Sequence, residues 1–193
     1  MSENNLQTVN GVTSRRGLLT GSGKIMLSGV AIAMLAGCES VAAESMASEG
    51  DLNILNVALG AEYQAIAAYQ VGAESGLLQK PVLQVAVKFQ SDHKKHAELL
   101  AATLVKLGGR PVTAKAPAEY GFPTGSLHNQ TDVLRFAAGL EKGAVSAYLG
   151  AVPAFQNRDL AKAAASILGD EAIHFAVLKM TLGEDPDPSP FVS

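Results

Sequence analysis

Six side chains in this sequence have the chemistry of metal ligands: Glu62, His93, His96, Glu141, Glu171 and His174. Carboxylate oxygens and imidazole nitrogens without a thiolate suit a first-row transition metal, iron or manganese first with zinc admitted, as one or two ions. His93-x-x-His96 and Glu171-x-x-His174 each place two donors one turn apart on one face of a helix. The surrounding residues repeat. Glu62 to Tyr69 and Glu141 to Tyr148 share the frame Glu-x-x-Ala-(Ile/Val)-x-Ala-Tyr at an offset of 79, and Asp92 to His96 and Asp170 to His174 share Asp-x-x-x-His at an offset of 78. Two copies related by an approximate two-fold axis would bring the corresponding residues to a common centre.

The elements that must position them are helices. The chain is rich in Ala, only 5% aromatic and without Trp, which favours helix over strand. Four segments repeat apolar residues at helical spacing: Asp51, as N-cap, to about Gly76; Pro81 to Gly108-Gly109; the Thr131-Asp132 cap to Pro153; and Asn157 to Gly183. Short connections within the first and second pairs make each an antiparallel hairpin. Between the pairs lie about 22 residues, Gly109 to Gln130, broken by Pro111, Pro117 and Pro123. They are expected to cross one helix length, roughly 40 Å, so that the third helix starts beside the start of the first. The fold class is therefore all-α, a four-helix bundle of two hairpins joined by one long crossover.

Each candidate ligand falls on an apolar seam. The first helix runs Leu52, Leu55, Leu59, Glu62, Ile66, Tyr69, Ala73, and the third runs Leu134, Ala137, Glu141, Ala144, Tyr148, Ala151. The second and fourth carry His93, His96, Glu171 and His174 in the same way. Counted from their hairpin turns near Leu78 and Phe155, the six lie within about one helical turn of a common depth. Unpaired charges there would be costly, so something must neutralise the carboxylates. Tyr69 and Tyr148 read as core aromatics whose hydroxyls can reach the carboxylates. Glu74, Glu98 and Glu119 read as solvated surface, and His128 has no evident partner.

One Glu from each of two helices and Glu-x-x-His from each of the other two is the described ferritin-like pattern. This sequence resembles the ferritin-like domain proteins, in particular the small exported bacterial ones, over about residues 51 to 182. It departs by presenting His93-x-x-His96 where a second Glu-x-x-His would stand. The resemblance implies that Glu62 and Glu141 are terminal ligands and Glu171 a bridge, and that His93 removes one bridge and lowers the formal ligand charge from −4 to −3. That favours a single ion, or two held asymmetrically. Asp92 could substitute but sits one residue off the seam. The implied reactions are ferrous oxidation or peroxide removal; a metal-carrying or envelope-stress protein without turnover, and a metal-free structural bundle, are the competing readings.

Residues 1 to 38 read as an address. Ser14-Arg15-Arg16-Gly17-Leu18-Leu19 resembles a twin-arginine export signal, followed by an apolar run from Ile25 to Leu35. Leu35-Ala36-Gly37-Cys38 resembles a lipobox, which would place a lipid on Cys38; cleavage after Val41-Ala42-Ala43 would instead release a soluble product. Residues 39 to 50 form a linker and 184 to 193 a Pro-rich tail. Export implies a periplasmic or cell-envelope protein whose only membrane contact is that lipid. The whole chain has 193 residues with 15 Lys+Arg against 18 Asp+Glu and a net charge of −3, so no broad basic field offers itself to nucleic acid. Without residues 1 to 38 the balance becomes 12 basic against 17 acidic. Cys38 is the sole cysteine, which removes disulfide and thiol chemistry.

Overall fold

The computed structural model describes residues 47–191; the signal-like segment, Cys38 and most of the linker lie outside them. Four helices carry the fold: α1 Glu49–Glu74, α2 Lys80–Lys106, α3 Gln130–Ala154 and α4 Arg158–Thr181. There is no strand among the described residues. No described helix is long and apolar enough to cross a membrane.

The helix ends follow local side-chain chemistry. Ser48, rather than Asp51, caps α1, its hydroxyl oxygen accepting the Asp51 N–H at 3.1 Å. Asp51 lies in the first turn, buried, and reaches across the molecule. Its Oδ1 accepts the Gln156 N–H at 2.8 Å and its Oδ2 the Asn157 N–H at 3.1 Å, tying the start of α1 to the α3–α4 turn. Asp51→Ala removes a buried carboxylate from two partly buried backbone donors and is expected to cost about 1–3 kcal/mol, read as a lowered urea midpoint at unchanged slope. Asn129 caps α3, two residues before the expected position, by accepting the Asp132 N–H at 3.0 Å. Asn157 caps α4 as expected. α2 stops at Gly108, whose φ of +79° favours glycine, and the Gly109 N–H closes the end on Leu104 O at 2.8 Å.

α1 packs on α2 and α3, and α4 packs on α3 and α2. The crossover contains two 3₁₀ turns, Pro117–Tyr120 and Thr124–Ser126. Asn56 anchors its start, donating to Arg110 O at 3.0 Å and accepting the Val112 N–H at 2.9 Å. It delivers α3 to the far end of α1, not to its start. Gln130 Oε1 accepts the Gln79 N–H there at 2.9 Å, and a Cβ on Gly72 would stand 3.2 Å from Val133. The reason is topological: α2 has already returned to the start of α1, so a helix-long crossover must end at the opposite end. α3 therefore runs antiparallel to α1.

Two apolar clusters fill the bundle. One gathers Leu55, Leu59, Leu100, Leu104, Leu160 and Ile167 near the start of α1. The other gathers Tyr69, Ala86, Phe89, Leu134, Ala138 and Leu178 near its end. Along α3 the fully buried positions include Ala138 and Val145, while Ala137 and Ala144, expected on the seam, are half-buried. Residues 185–191 of the tail are exposed.

Candidate metal centre

Between the two clusters lies a polar layer. Glu62 comes from α1, His93 and His96 from α2, Glu141 from α3, and Glu171 and His174 from α4. All are buried except His96, which is half-buried. Glu171 is 0% exposed. His93 sits at the centre of the layer. Its Nδ1 is 2.9 Å from Glu62 Oε2 and 3.5 Å from Glu171 Oε1, and its Nε2 is 3.3 Å from Glu141 Oε1. His96 Nδ1 lies 3.1 Å from Glu171 Oε1 and 3.6 Å from Glu62 Oε2. His174 Nδ1 lies 3.7 Å from Glu171 Oε2 and 3.8 Å from Glu141 Oε1.

These contacts form two overlapping groups whose ligand atoms lie within 4.8 Å of one another: Glu62, His93, His96 and Glu171, and His93, Glu141, Glu171 and His174. Buried polar atoms without hydrogen bonds are rare and call for a partner. Four occur here: His96 Nδ1, His174 Nδ1 and both oxygens of Glu171. His96 Nδ1 and Glu171 Oε1 are close but misaligned for a hydrogen bond, so their contact is electrostatic. A cation between these atoms would give each lone pair a partner, and the donor set fits a first-row divalent ion.

Outer residues set the orientation of the inner ones. Tyr148 donates to Glu62 Oε1 at 2.5 Å, and Tyr69 donates to Glu141 Oε1. These are equivalent bonds in the two repeats. Burial and the neighbouring carboxylates push both phenols well above their ordinary range, so they stay protonated donors. Asp170 was not singled out in the sequence, yet its Oδ2 stands 3.3 Å from His96 Nε2 and 3.5 Å from His174 Nε2. The repeated Asp-x-x-x-His frame was the signal for it. Asp92 does not replace a missing central carboxylate. It is held by Lys88 and Lys95 and faces the outward Nε2 of His174 at 3.6 Å. Phe89 stacks on the His174 ring at 4.0 Å between centroids. His128, Glu74, Glu98 and Glu119 are exposed.

The charges balance one another within the layer. Burial alone would raise Glu62, but hydrogen bonds and charge from His93 and His96 bring it down to about 2. Burial would lower His93, yet Glu141 and Glu62 raise it to about 10. His96, opposed by burial, is raised to about 9 by Glu171 and Glu62, and His174 likewise to about 9 by Glu141 and Glu171. Within the adjacent Glu141 and Glu171 pair, Glu141 is held below the usual range by His174 and His93 against its burial. Glu171 is raised, with burial the largest cause.

Tyr148→Phe removes the hydroxyl that donates to Glu62 and is expected to weaken metal affinity about 10- to 100-fold with the fold intact. Competition with a chromophoric chelator measures it, and Tyr69→Phe should match it through Glu141.

A four-helix bundle with a long crossover and a core layer of carboxylates and imidazoles defines a class of helical metal-centre proteins. Residues 50–184 match the family model described as ferritin-like domain, and the chain belongs to that family. No curated protein matches it. Among solved structures, a conserved hypothetical protein from Mycobacterium tuberculosis shares 22% identity at a TM-score of 0.62, covering 74% of this chain and 96% of that one. A dodecameric thioferritin, the bacterioferritin-related protein of Bacteroides fragilis, shares 23% at 0.59, covering 69% and 84%. A ferritin-like, diiron-carboxylate protein from Bacillus anthracis strain Ames shares 22% at 0.59, covering 70% and 99%. At these identities the likeness is one of fold.

Proposed function

We propose that this chain is an exported ferritin-like protein that binds one or two transition-metal ions, iron or manganese first and zinc admitted, through Glu62, His93, His96, Glu141, Glu171 and His174. The observation that carries the proposal is the pair of overlapping four-residue groups with four buried, unpartnered ligand atoms between them. The diiron-carboxylate neighbour supports iron. Bound iron would supply one-electron redox chemistry, and ferrous oxidation or peroxide removal is the reaction class. The protein's own part is to hold the donors on four helices, shield them between two apolar clusters, and keep Tyr69 and Tyr148 as proton-bearing donors to Glu141 and Glu62. The twin-arginine pattern at Arg15-Arg16 supports export by a route that carries folded proteins, so metal would be loaded before translocation; the Cys38 lipid is the proposed anchor.

Elemental analysis of the protein from the envelope fraction of its own cells tests this reading. About one or two equivalents of a transition metal per chain is expected, and less than about 0.2 overturns it. Oxygen or peroxide consumption with added ferrous ion then separates an enzyme from a metal carrier, because turnover must fall when Glu171 is replaced.

A further inference from the structure

His93 occupies the place where the family pattern puts a carboxylate, and its ring is set differently from the other two. His96 and His174 turn one nitrogen inward and the other outward to an Asp. His93 has both nitrogens inside the layer, facing different halves of it: Nδ1 towards Glu62 Oε2, Nε2 towards Glu141 Oε1. Glu171 divides in the same sense, with Oε1 towards His96 and Oε2 towards His174. These are the two residues common to both four-residue groups. We propose that His93 bridges two divalent ions, Nδ1 binding the one held by Glu62, His96 and Glu171, and Nε2 the one held by Glu141, Glu171 and His174. This rests on the metal-binding reading above and adds the number of ions and the nature of the bridge.

Distances and charge both support the bridge. Four donors at about 2.0–2.1 Å from a tetrahedral ion stand about 3.3 Å apart. In the first group four histidine–carboxylate separations run from 2.9 to 3.6 Å, in the second three run from 3.3 to 3.8 Å, and all ligand atoms of each group lie within 4.8 Å of one another. Both groups are already close to the spacing that ions require. His93, an imidazolium in the metal-free layer, gives up both ring N–H protons to solvent when it binds through both nitrogens, each nitrogen then donating a lone pair to one ion, with no change of oxidation state. The imidazolate carries one negative charge. Together with three carboxylates it restores the −4 that neutralises two divalent cations, whereas neutral His93 would leave a buried positive charge between two apolar clusters.

The test uses the full chain labelled with ¹⁵N-histidine, stripped of metal and titrated with Zn(II) alone, followed by long-range ¹H–¹⁵N spectra and metal counting. Bridging predicts two zinc ions per chain and four zinc-bound ring nitrogens from three histidines, with only His96 and His174 of the three keeping a ring N–H. Two zinc ions with three bound nitrogens and three ring N–H groups would overturn the bridge and leave the metal-binding reading standing. One zinc ion per chain would do the same. Failure to take up zinc, with no transition metal in the protein from its own cells, would overturn both. The count is made on the unsubstituted protein, so it does not depend on a variant folding; loss of one doubly bound ring in His93→Gln assigns the signal.

Discussion

Glu171→Gln is expected to abolish the stabilisation that metal confers while leaving the metal-free protein within about 1 kcal/mol of its original stability. Glu171 is the one carboxylate shared by both four-residue groups, so both half-sites lose a charged ligand at once. In the metal-free state it contributes little. Neither of its oxygens has a hydrogen bond, and burial pushes its carboxyl above the ordinary range. The attraction it exerts on the neighbouring imidazoliums is offset by the cost of burying it. With metal present at about 100 times its dissociation constant, a folded-state ligand adds about 2.7 kcal/mol, which for a domain of this size raises Tm by roughly 10 °C. Thermal unfolding of both proteins, with and without the metal found in the natural preparation, measures the effect. A metal-induced rise that survives in Glu171→Gln would sink the assignment of Glu171.

The fold and the layer were legible in the sequence to different depths. Helix identity followed from apolar periodicity, and the depth of the six polar residues followed from counting along a regular 1.5 Å rise. Both are local regularities, and the structure places Glu62, His93, His96, Glu141, Glu171 and His174 in one layer. What the sequence hid depends on long-range partners. Asp51 looks like a cap because its type and position suit one, yet its acceptors are spent on Gln156 and Asn157, more than a hundred residues away. The direction of α3 cannot be read from crossover length alone; it follows once α2 is seen to return to the start of α1. Asp170 lies off the seam, where a carboxylate ordinarily faces water; His174 is its neighbour one turn along α4, but only the packing of α2 against α4 brings it to His96. The seam of α3 drifts by one residue at Ala138 and Val145 because small Ala and Gly side chains leave the stripe weakly marked.

Metal binding at pH 7 is expected to release at least three protons per chain, four when His93 bridges, and the overall binding constant should rise by at least about 10³ per pH unit between 7 and 8, less steeply towards pH 9 as His96 and His174 lose their protons unaided. In the metal-free layer His93 is raised to about 10 and His96 and His174 to about 9, so all three rings are protonated at neutral pH and must give up protons before they can ligate. The same shifts fix how metal-free stability depends on pH. A histidine raised above its ordinary value of 6.5 stabilises the fold fully below 6.5 and loses that contribution as pH climbs through 9 to 10. Glu62, lowered from 4.5 to about 2, stabilises above 4.5 and loses its contribution as pH falls through 2. These four groups stabilise the metal-free bundle most between about pH 4.5 and 6.5, while Glu171, raised by burial, works against it as pH climbs past 4.5; the bundle therefore weakens on the alkaline side, where metal binding strengthens because protons no longer compete. The two stability curves should diverge steadily from pH 7 to 9. Urea midpoints along that range, together with calorimetry in buffers of different ionisation enthalpy, measure the divergence and the proton count. A metal-free midpoint that rises from pH 6.5 to 9, or binding that releases no protons, would show that the three imidazoles are not the cations that balance Glu62, Glu141 and Glu171.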